Sequence, residues 1–204
     1  MIDIHCHILH QMDDGPSSLD ESIALCQIAI DNHIEKIVAT PHIYEIEKLS
    51  DFLNRRSHQI DELTRELASS DLNVDLYAGA EVFVTDDIFY FDGLERLTIN
   101  NSRYLLLEFP YSGLNLNSIY QYISEIQRQG LVPIVAHPER YEYFQREYEL
   151  INILADSGVL FQVNADSICS PVNKREQRLA SVMVLSGMAS FLATDAHSIK
   201  HRPN

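Results

Sequence analysis

Residues 1–16 read MIDIHCHILHQMDDGP, and the opening of that run decides the fold. Ile2 to Ile4 is a short apolar run that delivers His5 and His7, spaced two apart, at its end. Side chains alternate between the faces of a strand, so both imidazoles leave on one face and can grip a divalent ion from one side. Asp13, Asp14, Gly15 and Pro16 then form a strong turn signal, in which either acid taken alone is an ordinary turn or helix-entry residue.

The pattern repeats outward from this opening. Apolar runs at Ile37 to Ala39, Val74 to Ala80, Tyr104 to Phe109, Val132 to Ala136, Leu160 to Val163 and Ala189 to Ala193 read as further strands. Most of them carry or exit into a metal-ligand residue type: His42, Glu81, Glu108, His137, then Asp195 and His197. Helical periodicity fills the intervals, behind a capping box of Ser18 and Glu21 and again around Leu53 to Leu67, Ile119 to Ile126, Leu150 to Leu154 and Leu179 to Leu185. Gly130, Gly158 and Gly187 stand between a helix and the next strand, where a left-handed C-cap takes glycine. Val82 to Asn101 fits no simple helix and is expected as an irregular insertion. Seven strands alternating with helices predict a single α/β domain over residues 1–204, a barrel-like parallel sheet whose strand ends converge on one mouth.

Composition narrows the function. With 204 residues and 46% hydrophobic content the chain has enough material for one sizeable core. Thirty acids against fifteen Lys and Arg give a net charge of −15, which disfavours nucleic acid and anionic membranes as partners. Cys6, Cys26 and Cys169 form no CxxC pair, which argues against a disulfide framework and a cysteine zinc site. Lacking a signal peptide or an apolar segment of bilayer length, the chain is expected to be soluble and cytoplasmic.

Glu108 lies inside Leu105 to Phe109, an apolar run where a carboxylate needs a cation or an arginine. Imidazole nitrogens and carboxylate oxygens without thiolate suit Mn, Fe, Zn, Co or Mg. The candidates are too many for one ion. Two or three close cations would generate a hydroxide near neutral pH and clamp an in-line displacement at phosphorus. Arg140 and Arg202, shortly after His137 and His197, are placed to hold phosphate oxygens by forked hydrogen bonds. Phe89, Tyr90, Tyr141, Tyr143 and Phe144 are the candidates for stacking on a substrate ring.

The stretches MIDIHCHILHQMDDGP, ATPHI, GAEVFVTDDI, SRYLLLEFP, IVAHPERY, FQVNADSI and ATDAHSIKHRP, spread over the whole chain, resemble the polymerase and histidinol phosphatase (PHP) superfamily. Within it they are similar to the bacterial protein tyrosine phosphatases of capsule and exopolysaccharide synthesis. The resemblance implies a distorted (β/α)7 TIM-like barrel with a trinuclear metal site, manganese first among the candidate metals, at the C-terminal mouth. It implies His5, His7, Asp14, His42, Glu81, Glu108, His137, Asp195 and His197 as ligands, Glu81 as a bridge, and Arg140 and Arg202 as phosphate holders. It also implies a partner, an autophosphorylated bacterial tyrosine kinase that regulates polysaccharide export. Members usually continue into a further helix after the RP motif, so a C-terminal helix is expected to be missing from these 204 residues. His10, His33, His58 and His201 match no ligand block and are expected at the surface or behind the ligands.

Three rivals stand beside this reading. Cys169 and Arg175 satisfy the C-x5-R spacing of thiol-based tyrosine phosphatases, but no glycine lies between them and Pro171 removes an amide donor. A metal phosphatase of a small monoester such as histidinol phosphate, or of a nucleic-acid end, keeps the ligands and changes the substrate. A binding module with a structural metal cluster leaves the two arginines unexplained.

Overall fold

In the computed structural model, which describes residues 1–169 and 173–199, β1 (Ile2–Cys6) holds one residue more than its neighbour β2 (Lys36–Ala39). Asp3 pairs with Ile37 and Cys6 with Ala39, so a bulge falls between them. The bulge lets Ile4 pack against an inner apolar cluster while His5 still turns inward to Gln162.

After β2 the ladder breaks at Thr40 and Pro41 and resumes as β3 (His42–Ile43). Proline has no N–H to give a ladder. A second break, at Gly79 and Ala80, separates β4 (Asp75–Ala78) from β5 (Glu81–Phe83). There a Cβ on Gly79 would lie 2.8 Å from Val38 Cγ1, so the neighbouring strand approaches too closely for any side chain. β6 (Tyr104–Glu108), β7 (Val132–Ala136), β8 (Leu160–Asn164) and β9 (Phe191–Ala193) follow.

All pairings among the described strands are parallel, in two sheets of order β1-β2-β4 and β3-β5-β6-β7-β8-β9. The single barrel of seven units expected from the sequence is not confirmed: the breaks at Pro41 and Gly79 divide the strands, and no closed barrel is resolved. The first and last strands nevertheless meet. Asp195 N donates to His5 O and His7 N to Ala196 O, each at 2.9 Å, and Thr194 Oγ1 donates to Asp3 Oδ2 at 2.5 Å.

Seven α-helices lie in the intervals between these strands among the described residues: α1 (Leu19–Asp31), α2 (Leu49–Ser69), α3 (Leu116–Arg128), α4 (Glu142–Arg146), α5 (Glu149–Asp156), α6 (Ala165–Cys169) and α7 (Lys174–Leu185). Ser18 Oγ accepts from Glu21 N at 3.3 Å as the capping box requires, but the Glu21 carboxylate turns to Ser17, accepting from its N at 2.9 Å. Gly130, Gly158 and Gly187 all have positive φ after their helices, as the C-cap reading expects. The expected insertion begins only after β5 and contains short 3-10 turns at Asp86–Phe89, Leu94–Leu97 and Ile99–Asn101.

Alternation sorts the side chains. Leu105 and Leu107 of β6 join an outer core with Ile119, Ile123 and Ile126 of α3, while Leu106 packs inside with Ile134 and Ala136 of β7. Glu108 continues the inner row, which is why a carboxylate sits in an apolar run. Leu25, Cys26 and Ala29 of α1 and Leu63 and Leu67 of α2 form a separate core with Cys6, Ile37 and Ala39.

Candidate metal centre

Parallel strands point their C-terminal ends the same way, and the residues leaving those ends meet. His5 and His7 bring their Nε2 atoms to 3.2 Å. Glu81 Oε2 lies 3.2 Å from His5 Nε2, 3.1 Å from His7 Nε2 and 3.1 Å from His42 Nδ1. Glu81 Oε1 lies 2.9 Å from His137 Nε2. Asp195 Oδ1 is 3.4 Å from His5 Nε2 and 3.5 Å from His7 Nε2, and Asp14 Oδ1 is 3.3 Å from His197 Nε2. Glu108 Oε2 is 3.5 Å from His42 Nδ1. Three sets of donor atoms close enough to share an ion result: His7, Asp14, His42 and His197; His5, His7, Glu81 and Asp195; and His42, Glu81 and Glu108. His137 touches Glu81 without joining a set. Except for Asp14 and His42, the candidate ligands are buried.

The residues behind the ligands fix which nitrogen carries the proton. His5 Nδ1 donates to Gln162 Oε1 at 2.7 Å, His7 Nδ1 to Asp13 Oδ2 at 2.7 Å, and His197 Nδ1 to Asp195 O at 2.8 Å. Each Nε2 thereby faces the carboxylate oxygens, where a cation can take the place of a proton. Glu81 Oε2 and His42 Nδ1 are buried and have no hydrogen-bond partner of proper geometry despite their close neighbours. Imidazole nitrogens and carboxylate oxygens crowded this closely fit divalent cations, which take the place of the protons that otherwise lie between them, and this donor set excludes a thiolate site.

Charge tells the same story. Burial opposes ionisation of Glu81, yet the His5 imidazole, the hydrogen-bonded His137 and the adjacent His7 outweigh it and hold its carboxyl well below the usual range. Burial also disfavours a proton on His5, but Glu81 and Asp195 outweigh it and raise its pKa. Burial pushes the Glu108 carboxyl up to about 8, with the Glu81 charge adding to it. His42 is pushed down to about 4 by burial, so it is neutral and ready to coordinate at neutral pH.

Arg140 donates from Nη1 to Asp195 Oδ2 at 2.9 Å and places Nε 3.5 Å from Glu176 Oε1. Arg202 and His201 lie outside the described residues. His10 is buried and sits 3.6 Å from Glu62 on α2, and it belongs to none of the three sets. Of the aromatic candidates, Tyr141 and Phe144 are fully buried in the outer core, Tyr141 beside His137, and Tyr143 stacks on Tyr141, so their role is packing and not contact with a substrate ring. Phe89 stacks on Tyr122 of α3.

Several participants escaped the sequence reading. Asp13, read only as an alternative turn acid, accepts from His7 Nδ1, from His42 N at 2.8 Å and from Gly15 N at 2.9 Å. Gln162 and Asn164 of β8 occupy the inner row where other strands carry ligands; Asn164 Nδ2 donates to Asp195 Oδ2 at 2.7 Å. Two amides at i, i+2 inside an apolar strand were the signal, weaker than that of Glu108 because neither carries a charge. Tyr111 donates to Glu108 Oε1 at 3.1 Å and leans on His137.

The family model for capsular polysaccharide synthesis, CpsB/CapC, matches residues 1–204. The chain is 36% identical over 206 residues to CapC of Staphylococcus aureus, covering 100% of this chain and 79% of that protein. It is 30% identical over 208 residues to the tyrosine-protein phosphatase YwqE of Bacillus subtilis, covering 99% and 79%. Among solved structures, those of YwqE and of CpsB from Streptococcus pneumoniae, described as unique metal-dependent tyrosine phosphatases, match with a TM-score of 0.88 at 29% identity, over 100% of this chain and 82% of the other. HisK of Listeria monocytogenes matches at a TM-score of 0.57 and 10% identity, over 98% and 96%, a likeness of fold alone. The chain therefore belongs to the CpsB/CapC family of capsular polysaccharide synthesis.

Proposed function

We propose that this protein is a metal-dependent protein tyrosine phosphatase that acts in the cytoplasm on an autophosphorylated bacterial tyrosine kinase regulating capsule or exopolysaccharide synthesis. The observation that carries the reading is the convergence of imidazole and carboxylate acceptors on Glu81 Oε2, in a chain whose relatives are named tyrosine-protein phosphatases. Among the described residues no helix is long and apolar enough to cross a membrane. The two sheets, joined along the seam of β1 and the segment after β9, are read as a strongly distorted seven-unit barrel within a single domain.

His5, His7, Asp14, His42, Glu81, Glu108, His137, Asp195 and His197 would hold two or three cations, manganese the first choice, with Glu81 between them. Bound cations lower the pKa of water and offset charge on phosphate oxygens. The protein's own residues prepare that chemistry. Asp13, Gln162 and the Asp195 carbonyl fix the imidazoles of His7, His5 and His197. Arg140, anchored by Asp195 and Glu176 at the edge of the cluster, has N–H groups left to donate to phosphate oxygens, with Arg202 as the second holder. A phenol leaves with a pKa near ~10, far below an alkyl alcohol, so tyrosinate needs little protonation.

Turnover of a phosphotyrosine peptide, histidinol phosphate and single-stranded DNA, each before and after chelation, tests this. Chelator-sensitive hydrolysis of the peptide above the other two is expected; preference for histidinol phosphate would move the protein to the small-monoester class.

A further inference from the structure

β3 and β5 pair in parallel with His42 opposite Glu81 and Ile43 opposite Val82. Two residues further outward on each strand, on the face that carries the ligand pair, stand Tyr44 and Phe83. Their ring centroids are 5.6 Å apart at 51°, and Tyr44 lies 5.0 Å from the His42 ring at 32°. A rung of ligands is thus followed by a rung of aromatics. Tyr44 is 52% exposed although two rings flank it, so part of its face is free for a third. A groove of about 530 Å³ runs from His42 past Tyr44 to Phe52 and Arg55. That volume lies within the ~300–1,000 Å³ of small-molecule sites. Its two cations are engaged, Lys48 with Glu45 at 2.5 Å and Arg55 with the Gln11 carbonyl, which leaves the aromatic face as the distinguishing chemistry beside His42. Tyr111, also partly exposed, is tied through its hydroxyl to Glu108 and serves the ligand instead.

We propose that Tyr44 is the platform on which the substrate's aryl ring stacks, making this groove the subsite that selects aryl over alkyl phosphate monoesters. The inference rests on the phosphatase reading and names the specificity residue of that same site. Offset stacking on Tyr44 would hold the ring beside His42 while the phosphate enters the ligand cluster.

Calorimetry on the manganese-loaded protein with phenylphosphonate, methylphosphonate and inorganic phosphate tests it without any leaving group. The wild type is expected to prefer phenylphosphonate to methylphosphonate. Tyr44→Ala should erode that preference about fivefold to tenfold and Tyr44→Phe should keep it, with phosphate affinity equal in all three proteins. An undiminished preference in Tyr44→Ala, no preference in the wild type, or a parallel loss of phosphate affinity would overturn the assignment, the last because Tyr44 would then only brace His42. Failure of the wild type to hydrolyse phosphotyrosine peptide sinks the phosphatase reading separately, since the phosphonate preference is measured without turnover.

Discussion

Glu81 Oε2 sits among three imidazole nitrogens at 3.1 to 3.2 Å, and Glu81→Gln would place an amide there with at least one N–H or a neutral oxygen in place of the shared charge. The expected outcome is loss of bound metal per chain, measured by elemental analysis after dialysis, together with loss of turnover. Asp13 acts one step removed: Asp13→Asn should weaken metal binding about 10- to 100-fold, read by competition with a chelator, because the charge behind His7 is lost and one of the two accepting oxygens becomes a donor facing either His7 and His42 or Gly15. Unchanged affinity would return Asp13 to the role of a plain turn residue. Arg140→Lys keeps a charge beside Asp195 but loses the fork, and about a tenfold fall in kcat is expected with metal content unchanged. The candidate ligands and their convergence were legible because ionisable groups at the ends of apolar runs are costly unless paired. Gln162 and Asn164 were not, since neutral amides raise no such alarm, and Tyr44 was not, because its partner Phe83 lies on another strand. His137 and Asp195 adopt left-handed backbone conformations, with φ of 31° and 52°, at the points where their strands end. Such strain, about 1–3 kcal/mol per residue, gathers at functional sites, and no sequence pattern announces it.

At the scale of elements, the turn after β1 shows how closely ligand and scaffold are fitted. A Cβ on Gly15 would come within 2.5 Å of His7 O and 3.3 Å of His7 Cβ. Gly15→Ala must therefore push the Asp13 and Asp14 turn off the strand, and weaker metal binding is expected from a chain that still folds, as circular dichroism and metal titration would record. In α3, Ile123 is almost wholly buried against β6 and β7, and Ile123→Ala should cost about 2–5 kcal/mol in denaturant unfolding while leaving the cluster's ligands in place. The long helices and the β6, β7 and β8 strands were readable from their periods. The break at Gly79 was read through as continuous strand, because it depends on how near a neighbouring strand passes, and Pro41 was read as the end of a strand, because the two residues of β3 beyond it are too few to show a period. α4 and α6, of five residues each, are too short to show a helical period.

For the whole molecule, the acid excess and the packed acceptors mean that cations are part of the stability as well as the chemistry. Chelation is expected to lower the melting temperature and abolish turnover together; saturating manganese at ~100 times its Kd would restore about 2.7 kcal/mol. Cys169→Ser should change neither, since Cys169 is exposed at the end of α6 and touches no member of the cluster. The parallel α/β arrangement and the convergence of strand ends were visible in the sequence, whereas the division into two sheets was not. The seam between β1 and the residues after β9 has a further consequence. His5 and His7 leave the ribosome first among the candidate ligands, and Asp195 and His197, hydrogen-bonded to that same first strand, leave it last. A nascent chain cannot complete its cation cage until Asp195 and His197 have emerged, so full metal loading must follow synthesis of every strand from β1 to β9 instead of guiding it.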